Sequence, residues 1–205
     1  MTISYAITVC NEDDEAVRLI QFLHSKKRKE DNIYVLLDTP KVTPWLQDQL
    51  NKFSSNDWIT LKPSAFTGDF SQWKNELNSL CKEDYIFNID ADEMPSEHLI
   101  EVLPFVIDQG ADVILVPRVN TVEGITDEHI QKWGWRKNEQ DWINWPDYQW
   151  RIYKNVPYIK WINKVHERLE GFQTYSFLPQ EEIYALYHSK SISRQENQNS
   201  FYDTL

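Results

Sequence analysis

Residues 83–95 read EDYIFNIDADEMP. Tyr85, Ile86, Phe87 and Ile89 form a nearly continuous run of aromatic and β-branched residues, the pattern of a strand buried on both faces. Asp90, Asp92 and Glu93 then arrive within four positions, and Pro95 closes the segment. Carboxylates this close repel and raise one another's pKa unless something neutralises them. Two arrangements meet that demand: a cluster solvated at a turn, or a cation held among the carboxylates.

The flanking sequence repeats the pattern of strand followed by polar turn. SYAITVC (4–10) reads as a strand that stops at Asn11, an N-cap type, with Glu12, Asp13, Asp14 and Glu15 suited to a helix's first turn. Ala16, Leu19, Ile20 and Leu23 then keep the i, i+3, i+4, i+7 spacing of an amphipathic helix. NIYVLLD (32–38) predicts a second strand, residues 45–53 a short helix and WITL (58–61) a third strand. A glycine-containing loop leads into a helix whose apolar face is Trp73, Leu77, Leu80 and Cys81, with Trp73 and Leu77 in the core. After residues 83–95 come a helix near 96–108 and the strand DVILVP (112–117). This alternation predicts a parallel sheet with helices on both faces. Ligands bind such sheets at the carboxyl ends of the strands, where Asn11, Asp38 and Asp90 all stand. That convergence favours a functional acidic cluster.

The second half differs. Six of the nine tryptophans fall between Trp133 and Trp161. YQWRIYKN (148–155), PYIKWI (157–162) and EIYALYH (182–188) predict antiparallel strands or hairpins packed onto the first layer, and SRQENQNSFYDTL (193–205) reads as a polar helix. No Gly/Ser-rich linker or internal repeat intervenes, so residues 1–205 read as one domain with two functional halves, 1–117 and 118–205.

Hydrophobic content of 41% over 205 residues supports a substantial core and argues against global disorder. A net charge of -11 argues against nucleic acid as a partner, which needs clustered cations. The one basic run, Lys26-Lys27-Arg28-Lys29, adjoins Glu30 and Asp31 and reads as a solvated helix end. Cys10 and Cys81 alone make neither a disulfide framework nor a metal cage, which fits a reducing, cytoplasmic setting. No leader pattern and no apolar run of membrane-spanning length is present, so a soluble intracellular protein is expected.

Together these segments resemble the family 2 glycosyltransferases. ITVCNEDDE resembles their first strand and nucleotide-facing loop, and VLLD their second strand with its terminal acid. FSQWKNELNSLCKEDYIFNIDADE resembles their Lys/Arg-Asn helix followed by the D-x-D strand. WPDYQWRIYKN, KVHERLEG and LYHSK resemble a subgroup that decorates surface glycans, with a Val-His-Glu turn and a C-terminal histidine. The resemblance implies an α/β GT-A fold: a mostly parallel, Rossmann-like sheet with a small antiparallel C-terminal part. It implies a usually inverting transfer from a nucleotide-diphosphate sugar, a UDP-sugar being the expected donor, to a glycan or other hydroxyl acceptor. Residues 1–117 would then hold the donor and residues 118–205 the acceptor.

The departing diphosphate must be stabilised, which a divalent ion with few carboxylate ligands, phosphates and waters does. Asp90 and Asp92 are expected on opposite sides of an extended strand end. The resemblance gives Asp92 to Mn²⁺ or Mg²⁺, and Val9, Asn11, Glu12, Asp38, Asp90 and Ala91 to the nucleotide. His188 is either a metal ligand, better suited to Mn²⁺, or a core histidine at a strand end. Lys190 and Arg194 either neutralise diphosphate or are plain surface cations. Lys74 and Asn75 either meet the nucleotide or form a solvated helix face. The Glu-Asp pair that often supplies the base in this superfamily is missing after residue 120, which leaves Glu167 as first candidate and Asp147 as second. The alternative for Glu167 is an ion pair with Lys164 or Arg168. Trp133, Trp135, Arg151 and His166 are expected on the acceptor side, and Trp145, Trp150 and Trp161 mostly in the core. Arg151, mid-strand, needs a carboxylate or phosphate partner if buried. A nucleotidyltransferase would share the metal logic, but CNEDDE stands where its basic glycine-rich loop belongs. A phosphatase with Asp-x-Asp would carry that motif on its first strand, and a carbohydrate-binding module would not need acids at strand ends.

Overall fold

Strand, helix and turn propensities sort the first ninety residues as their pattern predicts. In the computed structural model, which describes residues 1–202, β1 (Ile3–Val9), β2 (Asn32–Asp38), β3 (Ile59–Ser64) and β4 (Tyr85–Asp90) form a parallel array in the order β4-β1-β2-β3. Helices α1 (Asp13–Lys26), α2 (Pro44–Asn51) and α3 (Phe70–Asn78) make the crossovers. Thr43 and Asp69 cap α2 and α3 by accepting the Leu46 and Gln72 amides. Asn11 does not cap α1. The N-cap is Glu12, whose carboxylate turns back to accept the Cys10 amide at 2.7 Å, leaving Asn11 beyond the helix. The basic run is not merely solvated either, since Arg28 pairs with the buried Asp31 at 2.8 Å.

After β4 the chain turns at Ala91-Asp92 into the short β5 (Glu93–Pro95), then α4 (Glu97–Ile107), β6 (Val113–Val116), β7 (Arg118–Glu123) and α5 (Asp127–Trp133). Asp92 therefore sits in a turn rather than on the strand, because the backbone bends directly after Asp90. The remaining elements are β8 (Gln149–Lys154), β9 (Lys160–Ile162), β10 (Arg168–Glu170), β11 (Tyr175–Phe177), a 3₁₀ turn (Glu182–Tyr184), β12 (Leu186–Ser191) and α6 (Ile192–Tyr202). Residues 182–184 are thus not strand, and residues 203–205 of the expected tail helix lie outside the described residues.

The main correction concerns β8. It does not pack onto the first layer but enters it, running antiparallel between β4 and β6 in the order β11-β6-β8-β4-β1-β2-β3. Pure parallel alternation breaks there because β4 and β6 do not pair with each other. One face of the sheet buries Leu19, Ile20, Leu99 and Leu103 of α1 and α4, and the other buries Trp73, Leu77 and Trp161. Trp150 and Trp145 are only half-buried, the former packing on Phe172 and the latter on Trp142. A second, three-stranded sheet, β5-β12-β7, stands at the carboxyl end of the first. Among the described residues no helix is long and apolar enough to cross a membrane.

Insertion of β8 answers the question of the carboxylates. It places Arg151, 3% exposed, against the end of β4. One guanidinium nitrogen, Nη2, donates to Asp90 Oδ2 at 2.5 Å and to Glu93 Oε1 at 2.6 Å. Arg118, at the start of β7, donates to the same Glu93 oxygen at 2.9 Å. Two arginines from the second half of the chain therefore neutralise this part of the cluster: cations are held among the carboxylates, and they are the protein's own side chains. Burial works to raise the Asp90 carboxyl, but the charges of Arg151 and Lys74 outweigh it and hold the group far below the ordinary range.

Two consequences can be measured. Arg151→Met takes from Glu93, 1% exposed, one of the two guanidinium groups that neutralise it, and breaking a buried pair commonly costs about 3–5 kcal/mol. Urea unfolding should show a loss of that size, partly restored by adding Glu93→Gln; a loss under about 1 kcal/mol would mean the pair is not needed. Because the folded-state pKa of Asp90 is depressed, its stabilisation is present above the unfolded value and is lost as pH falls towards the folded one, so Asp90→Asn should lessen acid sensitivity below about pH 4. At Gly171 the backbone has φ +91°, and an added Cβ would lie 1.8 Å from the Tyr158 carbonyl oxygen. Gly171→Ala should therefore lower stability by at least about 1 kcal/mol, and an unchanged urea midpoint would show that the β9–β10 hairpin can give way.

Candidate active site at the carboxyl ends of the strands

A cavity of about 1020 Å³ opens where β1, β2 and β4 end. Val9, Asn11 and Glu12 reach it from β1, Asp38 from β2, and Asp90, Ala91 and Asp92 from β4. The second half closes the other side with Arg118, Asn120, Asp147, Trp150, His166, Glu167 and His188, and with Lys190 and Arg194 from β12 and α6.

At the β1–β2 side, Asp38 is buried and accepts the Phe66 amide at 3.0 Å through one oxygen. Its other oxygen faces Cys10 Sγ at 3.8 Å and Lys41 Nζ at 3.7 Å. Burial and the neighbouring Glu12 charge push the Cys10 thiol up to about 12, so it stays protonated. Burial also raises the Glu12 carboxyl, against the opposing hydrogen bond from the Cys10 amide. Phe66, Phe70 and Trp73 form an aromatic wall beside this acid, with ring centroids of 4.7 and 5.8 Å from Phe66.

Asp92 is the meeting point of the C-terminal elements. Its Oδ2 lies 3.3 Å from His188 Nε2, 3.6 Å from Lys190 Nζ and 3.5 Å from Arg194 Nη2. Burial alone would raise this carboxyl; the hydrogen bond and charge of His188, then Lys190, outweigh it and hold it well below the usual range. Burial lowers the Lys190 ammonium despite that partner. Arg194 also donates to Glu15 at 2.8 Å, which ties α6 to α1 across the cavity mouth. Among the described residues no three His, Cys, Asp or Glu side chains converge into a complete metal cage.

On the opposite side Lys74, 5% exposed, lies 2.6 Å from Glu167 and 3.9 Å from Asp90, with its ammonium 4.5 Å from the centre of the Trp161 ring. The bond to Lys74 uses Glu167 Oε1; among the described residues Oε2 has no hydrogen-bond partner. Asp147 is fully engaged. Its Oδ2 accepts from Arg118 at 2.8 and 2.9 Å and from Asn120 at 2.7 Å, and its Oδ1 from Gln149 at 3.0 Å. Asp147 and His166 both adopt left-handed backbone conformations, at φ 34° and 54°. Such positions are strained for non-glycine residues and cluster at functional sites.

Not every expected residue faces the cavity. Asn75 points away: its amide exchanges hydrogen bonds of 2.8 and 3.0 Å with the Trp161 backbone and so fastens α3 to β9. Trp135 lines the cavity, whereas Trp133 packs behind it at 4.7 Å between ring centroids and is not part of the lining. Arg151 forms the cavity floor, with its charge spent on Asp90 and Glu93. Glu93, Arg118 and Asn120 received no role from sequence. Arg118 and Asn120 lie in an ordinary strand and acquire significance only when β7 is seen beside β5 and β12.

Comparison with known proteins agrees with this geometry. The profile of Glycosyl transferase family 2 matches residues 4–177. No curated protein sequence matches the chain. The solved structure of S. aureus TarS 1–349 is similar, with a TM-score of 0.64 at 14% identity, over 92% of this chain and 60% of that one. The same fragment in complex with UDP-GlcNAc gives 0.65 at 14% identity, covering 93% and 59%. Its complex with UDP gives 0.65 at 13% identity, covering 92% and 60%. The chain thus spans about 60% of the length of these neighbours, and the likeness extends to the GT-A-like α/β fold with its mostly parallel central sheet. By the match along most of its length, this chain belongs to glycosyl transferase family 2.

Proposed function

We propose that this protein transfers a sugar from a UDP-sugar to a hydroxyl of a carbohydrate acceptor, with inversion and with a divalent cation at Asp92 and His188. The observation that carries the reading is the convergence of His188, Lys190 and Arg194 on Asp92 at the mouth of β4, facing Glu167 across one cavity. The complexes of TarS with UDP-GlcNAc and UDP add support for the donor class.

The residues present fit a cation. Asp92 offers a carboxylate oxygen and His188 an imidazole nitrogen 3.3 Å away, a donor set that admits Mn²⁺ more readily than Mg²⁺ and leaves positions for phosphates and waters. Bound there, the ion would supply Lewis-acid neutralisation of the departing diphosphate. Lys190 and Arg194 bring two further positive charges to the same place, and Asp38 with the aromatic wall suits the base and ribose. Asp90, held by Arg151 and Lys74, sits beside Ala91 as a fixed polar wall for the nucleotide.

Chemistry then falls to Glu167, which among the described residues has one uncommitted oxygen. That oxygen takes the acceptor hydroxyl's proton as the acceptor oxygen bonds to the anomeric carbon and the bond from that carbon to the diphosphate oxygen breaks. Lys74 holds the other oxygen and so aims the carboxylate. Trp135, Trp150 and His166 line the side from which an acceptor would come. Two cysteines without a disulfide partner, Cys10 and Cys81, suit the reducing cytoplasm, where we place the enzyme.

Calorimetry with UDP should show tighter binding with Mn²⁺ than in EDTA, and Asp92→Ala should remove the gain. Equal affinity in EDTA would eliminate the metal. Coupling between two ligands is reciprocal, and among the described residues no complete protein cage forms, so Mn²⁺ should bind weakly alone and more tightly with UDP. Glu167→Gln should keep donor affinity but lose about 10²–10⁴-fold in kcat. A mutant that transfers sugar normally would return the base to Asp147.

A further inference from the structure

We propose that Asn120, locked by Asp147, is a positioning residue that fixes the tautomer of His188 and turns its Nε2 lone pair towards a cation at Asp92. The cation is the one invoked above; the tautomer stands on geometry independent of it. β7 and β12 are parallel neighbours, with Asn120 and His188 in register. His188 Nδ1 lies 2.8 Å from Asn120 Oδ1. The other end of that amide, Nδ2, lies 2.7 Å from Asp147 Oδ2 and 3.4 Å from the Ile143 carbonyl oxygen. A carboxylate and a carbonyl both accept, so the amide nitrogen must face them and the amide oxygen must face His188. Reversing the amide would set oxygen against two acceptors.

An amide oxygen can only accept, so the proton of this hydrogen bond sits on His188 Nδ1. A neutral imidazole has one N–H, which leaves a lone pair on Nε2. That lone pair faces Asp92 Oδ2 at 3.3 Å. Two acceptors face each other favourably only with a proton or a cation between them. Asp147 cannot rotate to release the amide, because Arg118 grips the same oxygen through two nitrogens and Gln149 holds the other. Arg118 is itself anchored on the buried Glu93. The orientation of His188 is therefore set by a chain of contacts that starts at the carboxylate Arg151 neutralises. It also gives Asp147 a task other than proton abstraction.

Mere stitching of β7 to β12 would not need the amide, since the two strands already pair from Leu186 to Ser191. Outer-shell partners of a ligating histidine commonly contribute 10–100-fold in metal affinity.

The test uses ¹⁵N-labelled, metal-free protein at about pH 9, above the ordinary imidazole value, with long-range proton–nitrogen correlation spectra of His188. Wild type should carry a proton on Nδ1, whether Nε2 holds a lone pair or a second proton shared with Asp92. Asn120→Leu, which removes the acceptor, should lose that preference. A wild-type Nε2–H form, or an unchanged tautomer in Asn120→Leu, overturns the proposal. If the leucine variant fails to fold, the wild-type form still decides, and an Nε2–H form there overturns it. Electron paramagnetic resonance titration of Mn²⁺ with saturating UDP should show about 10–100-fold weaker metal binding in Asn120→Leu, with UDP affinity in EDTA unchanged. An Nδ1–H wild type that binds no Mn²⁺ would overturn the metal role proposed above while supporting the fixed tautomer.

Discussion

The structure depends on one buried guanidinium. Arg151 stands between Asp90 and Glu93 and is the one cation that both carboxylates share, with Lys74 beside Asp90 and Arg118 on Glu93 adding to it. Burying an ion pair is not in itself a strong source of stability, since desolvation offsets most of the attraction. What it secures here is arrangement. With Glu93 neutralised by Arg151 and Arg118, the chain can turn sharply after β4, and that turn delivers Asp92 to the cavity. Among the described residues Nε of Arg151 is buried without a hydrogen-bond partner, a cost the two ionic contacts must exceed.

The second half of the chain acts on the first in two ways. β8 completes the main sheet from within, and β12 and α6 return over the carboxyl ends to bring His188, Lys190 and Arg194 to Asp92. The site is consequently built from charges of opposite sign contributed by distant segments. Asp92 is satisfied by cations in the absence of ligand, and a diphosphate entering there would compete for the same Lys190 and Arg194. Opposite them, Lys74 links Asp90 to Glu167, so the donor and acceptor sides share one buried ammonium.

Aromatic residues divide between support and lining. Trp161 lies in the core beneath Lys74, whereas Trp135 and Trp150 are half-exposed to the cavity. The difference comes from neighbours rather than side-chain type: Trp161 packs among Trp73, Leu77 and Tyr153 inside the cluster, while Trp150 packs against its edge and on Phe172.

Local pattern carried the first half of the fold, because strand and helix periodicity, caps and buried apolar runs are properties of neighbouring residues. It also placed Asp38 and Asp90 at strand ends, since an acid closing a buried strand is visible as such, but not the turn that carries Asp92. Position in the sheet was not legible for β8, whose aromatic pattern suits an added layer as well as an inserted strand. Nor was the pairing of Arg151 with Glu93, of Lys74 with Glu167, or of Asn120 with His188, separated by 58, 93 and 68 residues. A charge shows its identity in sequence but not its counter-charge. Only the tertiary structure, by deciding which groups lose water together, settled which carboxylates are structural and which face the cavity.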